Sequence, residues 1–179
     1  SDKSKKQQLL LNTLFKPGTH LNILIMNVES FSSGNGSDFA YKFLASHPKS
    51  MVAIDEATTI KTPTSNRTKN ILSLSKHCKY RRILTGSPVT KSPLDLYSQC
   101  QFLDPWLLDQ QSYYTFKARY SICKKIQVNG RQVEIVVGYR NLGELSEKIK
   151  SFSKRILKED CLDLPEKSYV KHYVELTKE

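Results

Sequence analysis

No apolar run in this 179-residue chain approaches the roughly 20 residues needed to cross a bilayer, and no charged-apolar-small pattern marks a secretion signal. No membrane partner is expected. The four cysteines, Cys78, Cys100, Cys123 and Cys161, contain no Cys-x-x-Cys pair, and His20, His47, His77 and His172 form no ligand cluster. That spacing argues against a structural zinc site and leaves reduced cytosolic thiols as the default. None of the seven glycines is followed by Lys-Ser or Lys-Thr. The Gly-x-x-x-x-Gly-Lys-Ser/Thr loop that cradles nucleotide phosphates is therefore missing from this stretch. A start at Ser1 rather than methionine suggests an excised segment. The most telling absence is local: residues 57–94 hold no Asp or Glu, yet carry Lys61, Arg67, Lys69, Lys76, Lys79, Arg81, Arg82 and Lys91. Those eight cations make up most of the net charge of +11. Basic blocks are usually solvated faces, but 38 residues without an acid favour contact with nucleic-acid phosphates, whose counterions such a face would release.

What the chain does have is two apolar strand ends carrying chemistry. Met51-Val52-Ala53-Ile54 reads as a short buried strand, and Asp55-Glu56 follow it directly. In an open α/β sheet, sites collect just past the carboxyl ends of strands. A carboxylate pair there suits nucleoside triphosphate hydrolysis: one acid holds the magnesium shell, the next orients and deprotonates water. By itself, Asp-Glu is more often a strand end capped by two solvated acids. A second strand, Tyr80 to Leu84, ends in Thr85-Gly86-Ser87-Pro88, which alone would be an ordinary strand-exit turn. The two together tip the balance.

Hydrophobic content of 39% is compatible with a globular chain. The pattern predicts a helix over 3–15 broken at Pro17-Gly18, a buried strand over 21–26, and a loop over 32–37. A helix capped by Asp38 follows, then the strand to Ile54, a helix over about 64–77, the strand over 80–84, and a helix begun by Ser92-Pro93. Strand alternating with helix is the rhythm of a parallel sheet flanked by helices, an α/β fold. After Pro105 the character changes. Tyr113, Tyr114, Phe116 and Tyr120 with Lys117 and Arg119 form an aromatic-basic helix, which either packs on the core or stacks bases, packing being the commoner outcome. Residues 126–137 alternate around Asn129-Gly130, a strong hairpin signal. A helix over about 142–153 and a half-buried strand over 169–176 complete the chain.

Asp55-Glu56-Ala57-Thr58-Thr59-Ile60-Lys61-Thr62 and Leu84-Thr85-Gly86-Ser87-Pro88 resemble motifs II and III of superfamily-two helicases and translocases, in particular the Swi/Snf-like branch. Pro93 to Tyr97, Phe102 to Pro105, Lys154 to Asp160 and Leu164 to Lys167 look like the same family, so the resemblance covers about residues 21–179. The compact form and the hairpin near Gly130 are more similar to phage or bacterial members, which implies the cytoplasm of a bacterium or a phage-infected host. The resemblance further implies an incomplete RecA-like P-loop NTPase lobe. Residues 1–108 would be the C-terminal part of the first ATPase lobe, and 109–179 a helical and hairpin appendage leading towards a second RecA-like lobe that is absent. ATP and Mg2+ are the implied cofactors. Asp55 would hold the Mg2+ through water, Glu56 would act as the base, and the Thr85-Gly86-Ser87 motif would couple hydrolysis to DNA, Thr85 and Ser87 through hydroxyl bonds towards the Asp-Glu segment. Thr58 stands where many relatives keep histidine, and Thr62 where they keep asparagine. Lys61, Arg67 and Lys91 are candidates for sequence-independent contact with the DNA backbone. The implied function is ATP-driven translocation along duplex DNA by a larger protein, the isolated chain being inactive. Two readings stay open beside it: a catalytically silent DNA- or protein-binding module, and the motor subunit of a restriction or repair complex.

Overall fold

The computed structural model describes residues 12–16, 20–161, 163 and 168–173. Residues 12–14 are helical and Phe15 is already in a turn, while residues 3–11 of the expected helix, and the Pro17-Gly18 break, lie outside the described residues. Asn27 accepts the Glu29 N–H on its side chain and opens a 3-10 turn over Val28–Ser32. Helix α1 (Gly34–Ser46) follows at once. The expected loop over 32–37 is thus mostly the first turn of a helix. A Cβ on Gly36 would lie 2.4 Å from the Ser30 carbonyl oxygen, so this glycine serves a close backbone approach rather than a turn.

Strand β1 (Met51–Ile54) leads through a 3-10 turn, Ala57–Ile60, to helix α2 (Asn66–Ser75). The Ser65 hydroxyl accepts the Thr68 N–H and starts α2 where a cap is needed. Strand β2 (Tyr80–Ile83) is followed by a 3-10 turn, Pro93–Asp95, and helix α3 (Leu96–Leu103). β1 and β2 pair in parallel from Met51↔Tyr80 to Ile54↔Ile83. Val52, Ile54 and Ile83 join Phe31, Phe43, Leu44, Ile71, Leu74 and Phe102 in one core. Successive strand residues face opposite ways, and the alternate set, Met51, Tyr80 and Leu84, is exposed. The fold is the expected small parallel sheet with flanking helices, but with one face of the sheet left open.

The strand expected over 21–26 is absent. Its alternation survives, with Leu24 and Met26 packed on the core and Leu21, Ile23 and Ile25 exposed, but the segment pairs with no strand among the described residues. A strand exists only through a neighbour that takes up its backbone groups, which periodicity cannot guarantee.

A second core is assembled from Leu94, Leu96, Tyr97, Cys100, Leu108, Phe116, Tyr120 and Leu145. It joins α3 to helix α4 (Tyr113–Tyr120), the antiparallel strands β3 (Ser121–Val128) and β4 (Arg131–Tyr139), and helix α5 (Leu142–Lys150). Asn129 and Gly130 both take positive φ, as a two-residue hairpin turn requires, and the hairpin outruns the predicted 126–137 at both ends. A short helix, α6 (Lys158–Cys161), follows. Residues 169–173 form no strand, and the remainder of that expected strand lies outside the described residues.

The aromatic-basic helix packs rather than stacks. Phe116 lies 5.4 Å from the Tyr97 ring and 4.8 Å from Tyr120, while only Tyr114 among the four aromatics is exposed. Lys117 pairs with Glu134 at 2.6 Å. Glu144 accepts from Arg119 Nε at 2.9 Å, from Arg119 Nη2 at 2.5 Å and from the Tyr120 hydroxyl at 2.9 Å. That fork and hydroxyl hold the Glu144 carboxyl down from its ordinary 4.5 to about 2. A depressed carboxylate stabilises the fold above its unfolded pKa, and the contribution disappears as pH falls through the folded value. Thermal unfolding between neutral pH and about pH 2 should therefore show wild type losing stability below about pH 4.5, with Glu144→Gln less stable at neutral pH and flatter across that window.

Candidate active site at the sheet edge

The parallel register fixes what meets at the carboxyl edge. Beyond Ile54↔Ile83, the Leu84 N–H donates to the Ile54 carbonyl at 2.8 Å and the Ala57 N–H donates back to the Leu84 carbonyl at 3.0 Å. Asp55 and Glu56 are the two residues between these bonds, and both are exposed. Ala57 and Ile60 are fully buried and root the following turn in the core. Glu56 sits in the left-handed region at φ 51, ψ 59, and its N–H donates to Asp55 Oδ1 at 3.0 Å. A side chain there costs about 1–2 kcal/mol, which the bonds and burial on either side must hold in place.

Thr85, Gly86 and Ser87 leave β2 at the same edge. The Ser87 N–H donates to Thr85 Oγ1 at 3.2 Å, and Ser87 Oγ donates to the Val89 carbonyl at 3.0 Å. These bonds close the turn on itself, as serine and threonine turns do; the expected direction, towards Asp55-Glu56, is not the one taken. Gly86 has open space around its Cα.

The link between the two turns runs from Lys61, singled out for DNA contact, through Thr90 and Asp95, to which the sequence assigned no role. Lys61 Nζ donates to Thr90 Oγ1 at 2.5 Å, and Thr90 Oγ1 donates to Asp95 Oδ2 at 2.8 Å. Asp95 Oδ2 also accepts the N–H groups of Thr90 and Lys91, each at 3.0 Å. Partial burial pushes the Asp95 carboxyl up, but the Lys91 N–H, the Thr90 hydroxyl and the Thr90 and Ser92 N–H groups outweigh it and hold the carboxyl below its usual range. Gln99, fully buried, donates from Nε2 to the Pro88 carbonyl at 2.7 Å and to the Asp95 carbonyl at 2.8 Å. The available signal was Ser92-Pro93-Leu94-Asp95, a capping-box spacing. Ser92 does cap, accepting the Leu94 N–H, and Asp95 reaches back over the Ser92 N–H to Thr90 and Lys91 as well.

The three candidate backbone-contact cations divide. Arg67 ion-pairs with Glu29 and donates to Ser32 Oγ at 3.4 Å and the Thr59 carbonyl at 3.5 Å. Among the described residues, neither Lys61 nor Lys91 has a carboxylate in ion-pair range, and Lys91 is exposed. No group of three or more His, Cys, Asp or Glu side chains is placed to hold a metal among the described residues. A single exposed carboxylate, Asp55, does fit a magnesium ion that keeps several waters and reaches the protein through them.

A family model for the SNF2-related domain matches residues 3–179. Chromatin-remodeling ATPase INO80 of Eremothecium gossypii is 39% identical over 61 residues, which is 34% of this chain and 4% of that protein, and its Saccharomyces cerevisiae counterpart matches equally. TATA-binding protein-associated factor MOT1 of Saccharomyces cerevisiae is 31% identical over 124 residues, covering 69% of this chain and 6% of the relative. The chain therefore spans a small part of each relative. These fungal matches correct the expectation of a phage or bacterial type and of a bacterial or phage-infected cytoplasm, since chromatin belongs to the eukaryotic nucleus.

The strained backbone at Glu56 gives a stability test independent of catalysis. Glu56→Gly should be more stable than Glu56→Ala by about 1 kcal/mol in denaturant unfolding, because glycine enters the left-handed region freely. Equal stabilities would show that φ 51 is not held in solution.

Proposed function

Because this chain belongs to the SNF2-related domain family, and so forms part of a helicase-like ATPase, we propose that it supplies the hydrolytic edge of a motor that moves along duplex DNA. Asp55 would hold a Mg2+ ion through water when ATP is bound, and Glu56 would act as the general base that orients and deprotonates the attacking water. The ion neutralises charge on the transferring phosphoryl group when bound. Thr85, Gly86 and Ser87 form the turn through which DNA contact is felt at the site. The observation that carries this reading is the parallel register. It sets the Asp55-Glu56 pair and the Thr85-Gly86-Ser87 turn side by side at one carboxyl edge, joined by the Ala57–Leu84 bond.

In this reading the phosphate-binding loop and a second RecA-like lobe come from elsewhere in the protein, and the isolated chain does not turn over ATP. The exposed Met51, Tyr80 and Leu84 support a larger unit, since parallel sheets are normally covered on both faces. We read residues 1–108 as part of the first lobe and 109–179 as appendage and linker. The relatives favour a nuclear setting. The acid-free span meets DNA phosphates chiefly through Lys91, with Lys61 beside it, while Arg67 shapes the face by holding Glu29.

In the full-length protein, Glu56→Gln should abolish DNA-stimulated ATP hydrolysis while sparing ATP binding, because it removes the base and keeps the shape. Turnover retained by that variant would exclude Glu56 as the base, whereas a wild-type protein that binds DNA without hydrolysing ATP would be a silent binding module.

The DNA face is tested separately by titrating duplex binding against salt. Lys91→Glu should weaken binding alike on unrelated sequences and reduce the slope of log affinity against log salt by about 0.9 for the phosphate lost. Arg67→Glu should instead lower the melting temperature, since it sets two carboxylates against each other at Glu29. An unchanged slope for Lys91→Glu would make the basic span a solvated surface.

A further inference from the structure

Thr90 stands between an ammonium and a carboxylate, and its single hydroxyl proton fixes the direction of the chain. It donates to Asp95, so its lone pair is what receives Lys61. Lys61 leaves the turn that follows Glu56, and Thr90 lies in the loop that follows Ser87. The loop is fastened at both ends, by Asp95 of the turn before α3 at Thr90 and Lys91 and by Gln99 of α3 at Pro88. At an exposed position such bonds add little to stability. What they do is tie two turns, each carrying residues of the proposed site, through one hydroxyl. Among the described residues the self-closed Thr85–Ser87 turn makes no side-chain bond to Asp55 or Glu56, and the side-chain route between the turns runs through Thr90.

We propose that Thr90 is a positioning residue that latches the Glu56 turn to the Thr85–Ser87 turn through Lys61 and Asp95, so that DNA engagement at the second turn sets the geometry of the first. This rests on the reading of the site as a DNA-stimulated ATPase. Displacement of the 85–91 loop pulls on Lys61, and Lys61 is one residue from Ile60, which is locked in the core. Glu56 and Lys61 cap the two ends of the same turn, Ala57–Ile60.

The test uses the full-length protein, measuring ATP hydrolysis with and without saturating duplex DNA. Thr90→Val should cut the ratio of DNA-stimulated to DNA-free kcat by about fivefold or more, with DNA-free kcat, the KM for ATP, DNA affinity and melting temperature unchanged. Thr90→Ser, which keeps the hydroxyl, should restore the ratio. A wild-type ratio in Thr90→Val overturns the latch. So does a loss that Thr90→Ser fails to rescue, or one matched by equal falls in DNA-free rate and melting temperature. Glu56→Gln is run alongside: no hydrolysis by wild type defeats the ATPase reading itself, hydrolysis surviving in Glu56→Gln defeats Glu56 as its base, and abolition in that variant with an unaltered Thr90→Val defeats only the latch.

Discussion

Everything at the proposed site hangs from one short ladder, the four-residue parallel pairing of Met51–Ile54 with Tyr80–Ile83. Parallel strands run in the same direction, so both carboxyl ends, and whatever residues follow them, must come out at the same edge. The ladder does not stop at the last paired residues. The Leu84–Ile54 and Ala57–Leu84 backbone bonds carry it past the strand ends and fold the chain back behind Asp55 and Glu56. A one-residue slip would turn Ile54 and Ile83 out of the core, and burial of Ile54 resists it.

Helix α3 ties this edge to the rest of the molecule. Its Phe102 belongs to the core beneath the sheet, whereas Leu96, Tyr97 and Cys100 belong to the second core with α4 and α5. Six of its eight residues are buried, polar Ser98 and Gln99 among them, so it is walled in on most sides. Burial pushes the Cys100 thiol up to about 12, which makes it packing material rather than a nucleophile. The same helix supplies Gln99, and the turn before it supplies Asp95, so the wall between the cores also holds the loop after β2. Packing and site geometry are here consequences of one element.

Much of this was legible residue by residue. The two strands, the Ser92 cap, the Asn129-Gly130 turn and the carboxylate pair depend on local chemistry, and each stands where the pattern put it or within a few residues. The failures share a cause. Leu21–Met26 has strand periodicity without a ladder partner among the described residues, and Gly34-Asn35-Gly36 has turn composition but lies in a helix because Ser30 approaches Gly36. Both outcomes depend on what another part of the chain does. The bacterial or phage origin rested on compactness and a hairpin, features that do not discriminate among members of a family.

The sequence alone determined which residues could do chemistry: two acids after an apolar run, hydroxyls around a glycine after another, and a long span without acid. Those are properties of side chains and survive any fold. Only the tertiary structure decided which cation is free and which is spoken for, because Glu29 lies 38 residues from Arg67. It decided, too, that Thr85 and Ser87 close on themselves while Thr90, unremarkable in the sequence, joins Lys61 to Asp95. Hydrogen bonds depend on distance and direction, and between residues far apart in the chain those quantities exist only once the strands have paired and the helices have packed.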